Sequence, residues 1–221
     1  MPAEPAAGGP PAGRLVTFEG GEGVGKTTQL ARLAAWLETT LGGEVVRTRE
    51  PGGTPGAEAV RRLLVEGSAE RWLPSTELLL VAAARNEHLG RLVRPALARG
   101  AWVLCDRYTD STFVYQGRAG GVEPHRITAL HDAVLDAPAP DLTLLLDLPP
   151  AEGLRRREAE GQGGRFEAKG EAFHARVREG FLERAAAEPE RIAVVDATPP
   201  AEMVAEAVRA GVARRFGLST A

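Results

Sequence analysis

The sequence has a single cysteine, Cys105, so no intrachain disulfide can brace the fold. Cys105 sits in the apolar run 101–105 and reads as a buried strand thiol that packs as a small hydrophobe, not as a nucleophile. An excess of positive charge is also missing: 27 Lys and Arg face 30 Asp and Glu, for a net charge of -3. A nucleic-acid polymer demands a basic face and is therefore not an expected partner. Any smaller anion must be met by locally clustered arginines. No apolar run reaches membrane-spanning length, and no basic segment followed by an apolar one opens the chain. The expectation is a soluble, cytoplasmic protein with no membrane partner. No repeat of solenoid period occurs, and 221 residues suit one domain with a sizeable core.

Residues 1–13, MPAEPAAGGPPAG, carry one charge and too little apolar surface to offset ordering entropy, so they are expected to form a disordered tail. Residues 14–221 read as a single domain. Short apolar runs at 15–19, 44–49, 102–106, 142–147 and 192–196 alternate with helical patterns, which predicts an α/β fold with a five-stranded parallel sheet flanked by helices. Helical patterns fall at 56–66 and 75–99, the second with a stop or kink near Pro95. The segment at about 156–170 begins within the run Arg155–Arg157, continues through glycines and then reaches Arg165. Glycines around charge predict a mobile flap and not a packed element.

Residues 20–28, GGEGVGKTT, match G-x-x-x-x-G-K-[ST] between a predicted strand and an amphipathic helix whose face carries Leu30, Leu33, Ala34 and Leu37. Such a loop aims backbone N–H groups and a helix N-terminus at a polyphosphate. Gly20, Gly21, Glu22, Gly23, Val24, Gly25, Lys26, Thr27 and Thr28 are thus the expected nucleotide cradle. Lys26 would reach the β/γ-phosphates, and the Thr27 hydroxyl would ligate Mg²⁺.

Other candidates cluster at predicted strand ends, where ligands gather in open α/β sheets. Residues 49–54, REPGGT, make a turn; within it Glu50 could accept from a substrate sugar hydroxyl or a metal-bound water. Arg61 and Arg85 lie on helices flanking the same cleft. A helix arginine is ordinarily a solvated surface charge, yet guanidinium groups also suit phosphate. Asp106 closes the third strand, either as a plain polar terminus or to hold Mg²⁺ water or the loop, with Arg107 directed into the cleft. Thr112, Tyr115 and Gln116 lie about one helical turn apart, and the Gln116 amide suits a pyrimidine edge because it both donates and accepts.

FEGGEGVGKTT, TREPGGT, DRYTDSTFVYQG, PDLTLLLDLPP and VVDAT, in that order from about Arg14 to Arg215, make the chain similar to the bacterial thymidylate kinases of the P-loop nucleoside monophosphate kinase superfamily. The resemblance implies a P-loop kinase fold with a closing flap (LID), ATP and dTMP as substrates, Mg²⁺ as cofactor, and a homodimer through helices near 75–99 and 124–136. It places Glu50, Arg61, Arg85 and Arg107 near the acceptor sugar and α-phosphate, Thr112 and Gln116 at the thymine edge, and Tyr115 against the 2′ position. Many relatives stack thymine on an aromatic where this chain has Val81, which bears on affinity for the base. The family draws its catalytic arginine from either the loop or the flap. With Glu22 in the loop, the resemblance implies the flap type, with Arg165 as the catalytic arginine and Arg156 and Arg157 as helpers. Another nucleoside or nucleotide kinase is the nearest alternative. A GTP-binding switch is a remoter one, since the chain has neither an N-K-x-D nor a D-x-x-G motif.

Overall fold

The computed structural model describes residues 13–159, 161 and 164–219; the expected tail lies outside the described residues, apart from Gly13. The strands are β1 (Arg14–Glu19), β2 (Val45–Arg49), β3 (Trp102–Asp106), β4 (Leu142–Asp147) and β5 (Ile192–Asp196). Every neighbouring pair is parallel, in the order β2-β3-β1-β4-β5. β1 and β4 are buried along nearly their whole length, as continuous apolar strands covered on both faces must be, whereas the edge strand β2 is half exposed.

The helices are α1 (Lys26–Leu41), α2 (Pro55–Val65), α3 (Pro74–His88), α4 (Arg94–Ala98), α5 (Thr109–Thr112), α6 (Pro124–Leu130), α7 (Pro150–Ala159), α8 (Glu171–Ala187) and α9 (Ala201–Phe216). Successive β1 residues face opposite ways and so feed two cores. Val16 and Phe18 pack with Leu30, Leu33 and Leu37 of α1 and with Val204, Val208 and Val212 of α9. Leu15 packs on the other face with Val103, Cys105 and Leu89. Among the described residues no helix is long and apolar enough to cross a membrane.

The helical pattern at 75–99 is interrupted just before Pro95, where its proline placed a stop or kink: α3 ends at His88, a π-helical turn (Leu89–Val93) follows, and α4 begins at Arg94. Pro95 falls in the first turn of α4, where its missing N–H is tolerated. One expectation needs correction, because the flap is more firmly attached than its glycines suggested. Residues 160, 162 and 163 lie outside the described residues, but Arg165 beyond them is only 2% exposed, and its backbone N–H donates to the Val65 carbonyl.

Candidate active site

β1 delivers the chain to the middle of the sheet's carboxyl edge, between β3 and β4, and residues 20–25 turn it into α1. Gly20, Gly23 and Gly25 have φ of 134°, 67° and 89°, which side-chain-bearing residues rarely adopt. Space is equally restrictive: a Cβ on Gly23 would lie 1.9 Å from the Gly153 carbonyl oxygen, and one on Gly153 2.1 Å from that of Glu22. The loop and α7 therefore touch backbone to backbone. Gly25 has no side chain to cap α1, so the first N–H groups of the helix remain available to an anion. Residues 22–28, including Glu22, Gly23, Val24, Gly25, Lys26, Thr27 and Thr28, wall a cavity of about 440 Å³.

Lys26 Nζ donates to the carbonyls of Gly21 (2.6 Å) and Gly20 (3.3 Å). Burial, reinforced by Arg107, lowers its pKa to about 8 against the opposing pull of Asp106 and Glu22. Thr27 Oγ1 donates to Asp106 Oδ2 at 2.9 Å, tying the loop to the end of β3. Arg107 is held with φ of 66°, its backbone N–H bonded to the Phe18 carbonyl. That turn projects its guanidinium over the loop, where it donates to the Gly20 carbonyl (2.8 Å) and Glu22 Oε1 (2.8 Å). The Tyr115 hydroxyl donates to the same Glu22 oxygen at 2.9 Å. Burial works against the Glu22 carboxylate, but Arg107 and then Lys26 overcome it and hold its pKa at about 2. Glu22 thus balances the charge of Arg107 over the loop.

A second cavity of about 460 Å³ adjoins the first, and both are lined by Glu22, Glu50, Arg61, Arg107 and Arg157. Three of those side chains are guanidinium groups and two are carboxylates, so arginines outnumber acids by one at the seam between the cavities. Val81, Arg85, Thr112, Tyr115 and Gln116 line the second cavity. The last three come from α5 and the π-helical turn that continues it (Phe113–Arg118). Widened turns of this kind recur at functional sites because they re-aim side chains. Asp110, buried and paired with Arg184 and Arg191, anchors this segment to α8 and to the residue just before β5. The Thr112 hydroxyl is buried and has no hydrogen-bond partner among the described residues.

Several of the expected site residues are already engaged by protein partners. Glu50 lines both cavities while its Oε2 accepts from Arg85 Nε (2.6 Å) and its Oε1 bonds His88 Nδ1 (2.8 Å). Arg85, which as a helix residue could have been solvated, is 2% exposed. It is held by Glu50, by the Tyr108 carbonyl and by His131 Nε2. Burial, then Arg85, depresses the His131 pKa to about 4, so the ring is neutral and can accept from the guanidinium. Arg61 donates to the Pro51 carbonyl at 2.6 Å. Arg165, expected at the phosphates, donates to the carbonyls of Ser68 and Leu64 and pairs with Glu77 at 2.6 Å. Of the arginine run, Arg155 is exposed and Arg156 pairs with Glu152 at 2.8 Å. Arg157 lines both cavities and bonds Glu167 at 2.9 Å.

Other contributors went unread in the sequence. Glu19 accepts from the backbone N–H groups of Tyr108 and Ser111 and from the Ser111 hydroxyl; it fixes the turn that bears Arg107. Burial, with Asp110 adding to it, raises its pKa to about 7. A carboxylate ending the apolar run LVTFE was a usable signal, the same one that marked Asp106. Phe166 brings an aromatic from the flap into the second cavity, edge-on to Tyr115 at 5.8 Å. Glu77 and the histidines had no local signal at all.

Residues 18–208 match the family model described as thymidylate kinase. The chain is 53% identical over 206 residues to a thymidylate kinase of Caulobacter vibrioides, covering 93% of this chain and 99% of that one. It is 51% identical over 206 residues to one of Chromohalobacter salexigens, covering 92% and 97%. The crystal structure of a thymidylate kinase from Ehrlichia chaffeensis superposes with a TM-score of 0.75 at 34% identity, over 91% of this chain and all of that one.

Proposed function

The chain belongs to the thymidylate kinase family, and on that premise we propose how its residues carry the terminal phosphoryl group of ATP to dTMP. The reaction gives ADP and dTDP, a step toward dTTP. The observation that carries the assignment is the arginine-lined seam, where a nucleotide on the phosphate loop and another in the second cavity would meet end to end among Arg61, Arg107 and Arg157.

An oxygen of the dTMP phosphate attacks the γ-phosphorus, and the bond from that phosphorus to the β–γ bridging oxygen breaks as ADP leaves. The attacking oxygen needs no strong general base, since the second pKa of a phosphate monoester is about 6. Positioning and charge neutralisation therefore dominate. The loop N–H groups and Lys26 hold the donor phosphates. Arg107 and Arg61 hold the acceptor phosphate in line. Glu22 yields Arg107 to that phosphate and keeps Tyr115 oriented, with its ring 4.8 Å from the Arg107 guanidinium carbon. Tyr115 crowds the 2′ position of the acceptor sugar, and Arg85, fixed by Glu50, lines the nucleoside end.

Among the described residues no cluster of three or more His, Cys, Asp or Glu side chains could hold a metal. A hydroxyl and a carboxylate in contact, Thr27 and Asp106, fit a cation that takes few protein ligands and completes its shell with phosphates and water, as Mg²⁺ does. Bound there, Mg²⁺ would neutralise charge on the donor phosphates. A homodimer is supported by Leu79 of α3 and Val134 of the turn after α6, which are 59% and 55% exposed.

Thr112 and Gln116 are assigned to the base edge, supported by the unpartnered Thr112 hydroxyl in this cavity. Loss of one buried hydrogen-bond partner costs about 1 to 3 kcal/mol. Gln116→Ala should therefore weaken equilibrium dTMP binding while ATP binding stays unchanged. Equal weakening of both would refute the base-edge assignment.

A further inference from the structure

We propose that Glu77 dictates which end of the Gln116 amide faces the acceptor base, and that docking of the flap through Arg165 holds Glu77 in place to do so. The inference rests on the base-edge role of Gln116 given above. Glu77 lies in the first turn of α3 and is 3% exposed. Its Oε1 accepts from Gln116 Nε2 at 2.8 Å, while its Oε2 meets Arg165 NH1 at 2.6 Å and Lys169 Nζ at 3.6 Å. One buried carboxylate thus joins the flap to the residue that reads the base.

The consequence follows from donor and acceptor chemistry. A carboxylate offers only acceptors, so the Gln116 amide must turn its NH₂ toward Glu77. Its carbonyl oxygen is then the end left for the cavity that Gln116 lines. An acceptor there complements a base whose ring nitrogen carries hydrogen, as N3 of thymine and uracil does. It opposes cytosine, whose N3 is itself an acceptor. Discrimination by an unpaired or opposed polar group is stronger than discrimination by size.

Arg165 is what makes a buried Glu77 tenable. A carboxylate out of water without its cation is strongly destabilised, and here the cation arrives from the flap. The same guanidinium donates to the carbonyls of Leu64 and Ser68 near the end of α2. Lifting the flap would remove Arg165 and Lys169 together and release Glu77, and with it the fixed orientation of Gln116. Reading the base and seating the flap become one event.

Glu77→Gln tests this with almost no change of shape. Its amide can also donate, so the Gln116 amide can turn over and offer NH₂ to the base. The kcat/KM for dCMP relative to dTMP should then rise about tenfold, within the range a single buried hydrogen bond commands, while the KM for ATP stays put. In a Gln116→Ala background the same substitution should leave that ratio unmoved. A ratio unchanged by Glu77→Gln, although Gln116→Ala weakens dTMP binding, would overturn the role of Glu77 and leave the base-edge site standing. An unaltered dTMP affinity in Gln116→Ala would instead overturn the site beneath it. The unmutated enzyme offers a test independent of how Glu77→Gln folds. The side-chain NH₂ resonances of Gln116, identified by their loss in Gln116→Ala, should exchange slowly with water and shift little when dTMP is added. A large dTMP-induced shift with fast exchange would put NH₂ on the base and refute the proposal.

Discussion

Lys26→Ala should fold like the parent protein and lose about 10² to 10³-fold in turnover, the cost of removing one preorganised donor from developing phosphoryl charge. The ammonium is buried, yet its described partners are carbonyl oxygens of the loop itself, Gly21 and Gly20. Those are poor substitutes for water around a full charge, which is why its pKa falls to about 8. Removing it therefore takes little from the folded state. ATP phosphates would raise that pKa again and recruit the charge. ATP affinity should accordingly weaken in the parent as pH rises through 8, where the free lysine loses its proton, and Lys26→Ala should lack that limb. Single-turnover rates, thermal melting and ATP titrations between pH 6.5 and 9.5, a range of about 1.5 units either side of that pKa, provide the check. A folded Lys26→Ala protein with near-parental turnover would contradict the loop's role.

The flap arginines should separate sharply. Gly153 rests on the phosphate loop at Glu22 and Gly23, and Arg157 follows it by four residues on the same face of α7. That face points Arg157 at the seam between donor and acceptor. Its charge already acts on Glu22. Arg157→Ala should lower turnover by about 10³-fold, at the lower edge of the range known for arginine fingers, with little change in dTMP affinity. Arg157→Lys should recover only part of it, because a point charge lacks the planar fork. Arg165→Ala should act differently: it frees Glu77, so the dTMP requirement rises more than saturated turnover falls. Turnover and equilibrium dTMP binding across the three variants settle the division. A crippled Arg165→Ala beside a near-normal Arg157→Ala would return the catalytic role to Arg165.

The cradle was legible because its requirements are local. Glycines at positive φ, a lysine and a hydroxyl at fixed spacing, and a strand before with a helix after leave one arrangement for residues 20–28. The parallel sheet was legible too, since apolar runs alternating with helices call for right-handed crossovers, but the strand order was not. Asp106 and Arg107 were legible as a polar end to an apolar strand. What local pattern could not do was separate like residues. Arg157 and Arg165 are both flap arginines in sequence, and only the close approach of Gly153 to the loop and the burial of Glu77 tell them apart. Glu77 looked like an ordinary acid in a helix's first turn, favourable to the helix dipole. Its partners Gln116 and Arg165 lie 39 and 88 residues away in the chain. Glu50 was legible as a polar residue at a strand end, but nothing local marked the burial of Arg85 and His88 against it.

ADP release measured with dTMP, dUMP, UMP, dCMP and AMP as acceptors tests the central assignment most directly. With Mg²⁺ and ATP, dTMP should be turned over best, dUMP next, and UMP far more slowly, as the proposed place of Tyr115 against the 2′ position requires. dCMP and AMP should barely react. Comparable rates on AMP and dTMP, or ADP release that does not depend on any monophosphate, would contradict it.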